Sequence, residues 1–395
     1  MLYDKTEYSI RSIILTLIYV LNSMVLYIPR VYSVVYNGYF TYLLAGLLMV
    51  LVFATEGFRI KLSTALMTTI ILFVAYVDTQ VNGLPIGEYF PLVWFVIVFI
   101  CICQFNVSEL CTRLMCFVNL SFWIYLVLYS LVYHSYFQGM IYDYEVYEGV
   151  LNPNTVGIGI AQFFLLWDIT RDNEKNSIKI KHLLFIVSII AIVYCQARSA
   201  AVFLVIGLLG EFLIKKMAIK HSVLVKSGMS SIVVMGFAFP LIFIYLYRRL
   251  GPEVTFLGKK LFTGRERIWG TLLNYLNNNK QAYFWGSGKM ESLNWHGIFN
   301  LHNSYLAFFS EYGLLVTILF WVWVLVIAFR LIDDYRALRF KKKSVLSETV
   351  VKSIGFIVFS LLLAYTETNY TYILSIIYIV FAFGVSYRKE HKNDT

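Results

Sequence analysis

Charge is scarce in this chain. Asp, Glu, Lys and Arg make up 14% of its 395 residues, about half the share usual in soluble domains. Hydrophobic residues fill 59% of it, and mean hydropathy is +0.70. A soluble core cannot absorb that much apolar surface while leaving so little polar surface for water, so the excess is expected to face lipid. Cysteine is sparse as well. Cys101, Cys103, Cys111, Cys116 and Cys195 all lie in or beside apolar runs, as small hydrophobes in membrane spans do, rather than as a metal or redox set. There is no HExxH, paired CxxC, Walker A motif or dinucleotide fingerprint, so neither a metal nor a cofactor is expected. No small-residue cleavage site follows the first apolar run, which is expected to remain as a signal anchor. Internal repeats and paired interrupted spans, frequent in transporters, are missing too.

What is present is a succession of apolar runs of span length. They fall near 10–28, 38–55, 62–81, 88–104, 113–136, 154–170, 182–196, 199–214, 229–247, 303–329, 351–367 and 369–386. The expected fold is therefore an all-α polytopic membrane protein with about 12 transmembrane helices, forming a single membrane domain over 1–395.

The basic residues orient it. With the N-terminus on the cytoplasmic side, 23 of the 33 Lys and Arg fall in inside segments, the bias that sets membrane topology. Of the other ten, eight sit in one stretch, 248–302, and only Arg30 and Arg198 occupy short outside connections. Both termini are expected inside. The formal charge of +10 is a topology signal and does not call for a nucleic-acid partner.

Two outside segments exceed the usual short connection. The first, 137–153, carries Asp143, Glu145 and Glu148 and closes on Asn152-Pro153-Asn154. The second, 248–302, lies between the ninth and tenth spans, and loops this long are commonly functional. Within it Thr263 and Glu266 have the spacing of a capping box. Ile268, Trp269, Leu272, Leu273 and Leu276 follow at helical intervals, which predicts an amphipathic helix of about four turns. That helix is expected on the outer surface of the bilayer, with Trp269 at headgroup depth. Arg265 falls in its first turn, where backbone N–H groups and the helix dipole also favour an anion. A guanidinium there suits a phosphate.

Two further residues stand out. His302 precedes Asn303-Ser304-Tyr305-Leu306 at the mouth of a span, where an imidazole can be poised to take a proton near neutrality. Arg198, in Gln196-Ala197-Arg198-Ser199, lies between two apolar runs on the side where positive charge is otherwise avoided. Charges so placed are costly and usually functional. Arg267 is a second cation in the first turn of the amphipathic helix, and Arg248 and Arg249 are secondary candidates.

These residues resemble the family of O-antigen ligases and Wzy-type polysaccharide polymerases. The resemblance is carried by Asn152-Pro153-Asn154 with Gly157 opening a span, by Arg198-Ser199 at a helix junction, and by the long loop. That loop holds Gly264-Arg265 with Trp269, Gly286-Ser287-Gly288, and His302-Asn303-Ser304-Tyr305-Leu306 leading to Glu311-Tyr312-Gly313-Leu314. The first five spans carry no motif of the family. The resemblance implies transfer of a glycan from a polyprenyl-diphosphate carrier to an acceptor hydroxyl at the outer leaflet of a bacterial cell membrane. It implies His302 as general base and Arg198, Arg265 and Arg267 as diphosphate ligands. Asn152, Asn154 and Asn303 would position the acceptor or the loop. It implies inversion at the anomeric carbon, and it admits a chain-length regulator as a partner beside the lipid-linked oligosaccharide and membrane lipid. Polymerase is favoured over ligase because polymerases are the more numerous branch. A lipid-linked glycan flippase is the alternative of a different class.

Overall fold

The computed structural model describes residues 2–31, 39–56, 62–104, 107–143, 148–171, 177–256, 259–262, 264–288, 301–341, 344–367 and 373–387. Helix dominates. In chain order the first elements are α1 (Leu2–Tyr27), α2 (Tyr39–Glu56), α3 (Leu62–Val81), α4 (Phe90–Gln104), α5 (Glu109–Val132) and the short α6 (His134–Gln138). Then come α7 (Pro153–Thr170), α8 (Ser177–Tyr194), α9 (Arg198–Met217) and α10 (Ser222–Leu250). A two-stranded antiparallel ribbon follows, β1 (Thr255–Phe256) with β2 (Lys259–Lys260). The chain continues through α11 (Arg265–Asn278), α12 (Lys280–Trp285), α13 (Ser304–Phe340), α14 (Ser344–Leu363) and α15 (Ile373–Tyr387).

A helix stands at each expected apolar run. Six of them, α1, α3, α5, α10, α13 and α14, are long and apolar enough to cross a membrane. Their outward side chains are apolar: Leu62, Phe117 and Val223 are each more than two-thirds exposed, an arrangement that lipid tolerates and water does not. α7 is central. It is buried over most of its length, and Gly159 lets Tyr27 of α1 and Leu126 of α5 close upon it. Polar side chains join helices inside this core, as Tyr19 does by donating to Asn119, in the way short polar groups hold membrane helices together.

α9 and α14 pack side by side, Gly207 facing Gly355 and Phe359. Twenty residues of α9 rise ~30 Å, the thickness of a bilayer's hydrocarbon core. Their two ends differ. At one, which also carries the ribbon, Arg198 begins α9 and α14 runs out toward Glu367. At the other, a buried ionic cluster joins four helices. Asp168 of α7 meets Lys181 of α8 at 2.6 Å, Arg171 at 2.7 Å and Lys352 of α14 at 3.4 Å, while Lys215 of α9 bridges Glu211 and Glu348.

The run expected as a single span over 303–329 is two helical limbs. Gly313 interrupts α13 with φ 72° and ψ 178°. Tyr305 stacks on Trp321 with ring centroids 4.1 Å apart, and Phe308 on Phe320 at 4.3 Å. In a straight helix residues 305 and 321 would stand ~24 Å apart. The first limb therefore folds back on the second.

The 137–153 stretch, expected as an outer loop, is largely ordered. α6 and a wide helical turn at Gly139–Asp143 occupy its first half, Phe137 is fully buried, and the Leu151 N–H donates to the Tyr129 hydroxyl. Glu145 lies outside the described residues. Within 248–302 the predicted apolar stripe finds its partner. α11 forms as predicted, but Trp269 is fully buried. It sits edge-on to Phe239 and Phe243 of α10 beside Leu272, Leu276, Leu306 and Phe309. Its apolar stripe packs on protein, so the ring is covered by α10 and the first limb of α13. Lys289, Glu291, Trp295 and His296 fall outside the described residues.

Candidate functional site

α11 begins one residue later than the capping-box spacing implies. Gly264 is its N-cap, in the left-handed region at φ 92°, and both carboxylate oxygens of buried Glu266 accept from the Gly264 N–H at 3.1 Å. Thr263 lies outside the described residues. This start places Arg265 at the first helical position, facing the end of α14. There its Nη2 donates to Oε1 of Glu367 at 3.1 Å, with the two side chains 17% and 18% exposed. The other oxygen of Glu367 stands 3.8 Å from Nδ1 of His302. One carboxylate thus lies between the two leading candidates, which are 37 residues apart in sequence.

His302 is held from both sides. Upstream, the Trp269 indole N–H donates to the Leu301 carbonyl at 2.6 Å. Downstream, Asn303 caps the first limb of α13 by accepting from the Leu306 N–H at 2.8 Å, and its amide donates to the Tyr365 carbonyl at 3.0 Å. The Ser304 N–H donates to the Ala364 carbonyl, and its hydroxyl to the Glu367 carbonyl. Between these anchors His302 adopts φ 49°, a left-handed conformation that costs a non-glycine residue ~1–3 kcal/mol. The imidazole remains about one-third exposed. Strain of this kind persists only where neighbours over-determine it, and here they do.

Arg198 joins at one remove. Its Nη2 donates to the Lys260 carbonyl at 2.9 Å, so it holds the ribbon that leads into Gly264-Arg265. The turn before it is tight: Gln196 has φ 55°, and Ala197 packs where a side chain on Gly157 of α7 would stand. Two of the motif segments therefore touch. A second pair touches as well. The Ser287 and Gly288 N–H groups donate to the Ser310 and Glu311 carbonyls, which the break at Gly313 takes out of the helical ladder. Gly286 and Gly313 approach backbone to backbone, both at positive φ, leaving no room for a Cβ on either.

Other candidates are not drawn into this group. Arg267 is exposed on the far side of α11. The Asn152 side chain caps α7 by accepting from the Asn154 N–H, with Pro153 at the first turn, a common helix start. Arg249 donates to Tyr245 on its own helix, and Arg248 lies beside it in the last turn of α10. Glu367 is the residue that sequence reasoning passes over, at the end of the apolar run 351–367. An acid in a short connection on the face where the other candidates gather was the available signal. Among the described residues no group of three or more His, Cys, Asp or Glu side chains is arranged to hold a metal ion.

The arrangement can bind an anion and move a proton. Arg265, at a helix N-terminus, supplies a fixed guanidinium. His302 turns Nδ1 toward the Glu367 carboxylate at 3.8 Å, and its imidazole can carry a proton in either ring position. Comparison of the whole chain with protein-family models finds no match, and comparison with curated proteins finds none.

Proposed function

We propose that this protein is a polysaccharide repeat-unit polymerase that transfers a glycan from a polyprenyl-diphosphate carrier to a hydroxyl of a second lipid-linked repeat. The observation that carries the reading is the meeting of Arg265 and His302 on Glu367, with Arg198 bonded to the ribbon just before Arg265. The donor is already activated, so the protein's task is to hold the diphosphate, accept a proton and exclude water. His302 takes the proton of the attacking hydroxyl. Oxygen attacks the anomeric carbon as the bond to the diphosphate oxygen breaks, which inverts configuration. Arg265 and Arg198 receive the charge that develops on the leaving phosphate. Glu367 holds Arg265 in place and stabilises the imidazolium as it forms.

On this reading about a dozen helices span, both termini are cytoplasmic, and the site opens at the outer leaflet of a bacterial cell membrane. The count of basic residues by segment supports that orientation. An O-antigen ligase would use the same chemistry on a different acceptor. A lipid-linked glycan translocator is the second reading, and the broken helix at Gly313 favours it, because transporters use such breaks. Purified protein in liposomes with a polyprenyl-diphosphate-linked repeat separates them. A new glycosidic bond that depends on His302 supports the transferase. Translocation with no new bond supports the translocator.

A further inference from the structure

Both cations assigned to the diphosphate are already engaged by the chain itself. Arg265 donates to the Glu367 carboxylate at 3.1 Å, and Arg198 donates to the Lys260 carbonyl at 2.9 Å. The two contacts differ in kind. A carbonyl is neutral and leaves the charge of Arg198 available, whereas a carboxylate brings the same charge and the same acceptor oxygens as a phosphate. Glu367 and a bound diphosphate therefore compete for one guanidinium, and their like charges repel. The pair is mostly enclosed by protein, so water screens that repulsion only in part.

The placement of Glu367 shows where its carboxylate goes when it yields. The main chain is clamped: its N–H donates to the Leu363 carbonyl at 2.9 Å, and its carbonyl accepts from the Ser304 hydroxyl at 2.8 Å. This leaves the side chain as the part free to move. Its second oxygen stands 3.8 Å from Nδ1 of His302, about 1 Å longer than a charged N–H···O hydrogen bond. A small turn of the side chain away from Arg265 closes that gap. We infer that Glu367 is an internal stand-in for the donor's diphosphate: it occupies Arg265 in the empty site, gives way when the diphosphate binds, and then pairs with His302. Donor binding thus readies the base for the acceptor hydroxyl. No covalent bond changes in the exchange, and the proton that His302 takes still comes from that hydroxyl. Glu367 is a positioning residue, acting through Arg265 and His302. The inference rests on the transferase reading above and supplies its regulation.

The test separates a competitor from a plain prop for Arg265. Removing a prop weakens both donor binding and turnover, whereas removing a competitor tightens binding while turnover falls. Inorganic pyrophosphate is titrated calorimetrically into purified full-length parent, Glu367→Gln, Glu367→Asp and Arg265→Ala. Polymerisation of a polyprenyl-diphosphate-linked repeat is then timed for each. Glu367→Gln is expected to bind pyrophosphate at least fivefold tighter than the parent and to polymerise at least tenfold more slowly. Equal or weaker binding overturns the inference, and the donor reading stands if Arg265→Ala binds more weakly than the parent. Tighter binding with unchanged turnover overturns the pairing with His302. Where Glu367→Gln does not fold, Glu367→Asp decides. Its shorter carboxylate draws back from Arg265, so binding at least twofold tighter is expected, and no gain overturns the inference. If neither the parent nor the Glu367 variants bind pyrophosphate, the inference and the donor reading fall together.

Discussion

Trp269 offers a sharp perturbation, because its two placements predict different energetics. As a headgroup anchor it would tolerate replacement within about 0.5 kcal/mol, as most surface positions do. In the structure it is fully buried against Phe239 and Phe243, and its indole donates to the Leu301 carbonyl at 2.6 Å. Trp269→Phe keeps a ring in the pocket but leaves that carbonyl unsatisfied, a cost of ~1–3 kcal/mol. Trp269→Ala also empties the pocket, which raises the cost to ~3–5 kcal/mol. Reversible SDS unfolding of the purified protein, followed by far-UV circular dichroism, reads both values. The order parent, Phe, Ala, with each step above about 1 kcal/mol, is expected from the cost of an orphaned carbonyl and of an empty pocket. If both variants unfold with the parent, the ring is not packed as described and the anchoring of Leu301-His302 fails with it.

Other outcomes follow from the same contacts. Asn303→Ala removes a helix cap and the bond to the Tyr365 carbonyl, costing ~1–3 kcal/mol; glycan transfer by the purified variant is expected to fall at least tenfold while Asn303→Asp, which keeps the cap, retains more. Gly313→Ala places a Cβ against the Phe284 carbonyl at a positive φ; loss of the monodisperse peak on size exclusion is expected, and a normal profile would contradict the backbone packing of 286 against 313. In the opposite cluster, Asp168→Ala removes the carboxylate that Arg171, Lys181 and Lys352 share and leaves Lys181 only Glu211, whereas Lys352→Ala leaves Asp168 two cations. Uncompensated buried charge costs ~3–5 kcal/mol, so SDS unfolding is expected to find the Asp168 variant the less stable of the two.

Hydropathy located the helices because lipid imposes one requirement on every residue of a span. It does not reveal the fold-back at Gly313: averaged over the length of a span, the short polar break Ser310-Glu311-Tyr312-Gly313 inside the run 303–329 disappears. The stripe on α11 is legible as a stripe, but lipid and a neighbouring helix ask for the same side chains, so the sequence does not tell that α10 covers Trp269. At the site, Arg265 and His302 could be picked out by residue type and by their place at helix mouths. Glu367 offers only its place in a short connection, since its meaning comes from a contact with Arg265 across 102 residues. Asn303 is expected to position the acceptor or the loop, and its fully buried side chain is bonded to the helix it caps and to the Tyr365 carbonyl.

The central claim is that His302 and Arg265 form one transferase site. Its most direct measurement is in vitro polymerisation of a polyprenyl-diphosphate-linked repeat by the purified protein, with product length read on a gel. The parent is expected to make long polymer. His302→Ala and Arg265→Ala, each folded and inserted, are expected to leave the single repeat unchanged. Long polymer from the His302 variant would contradict the account.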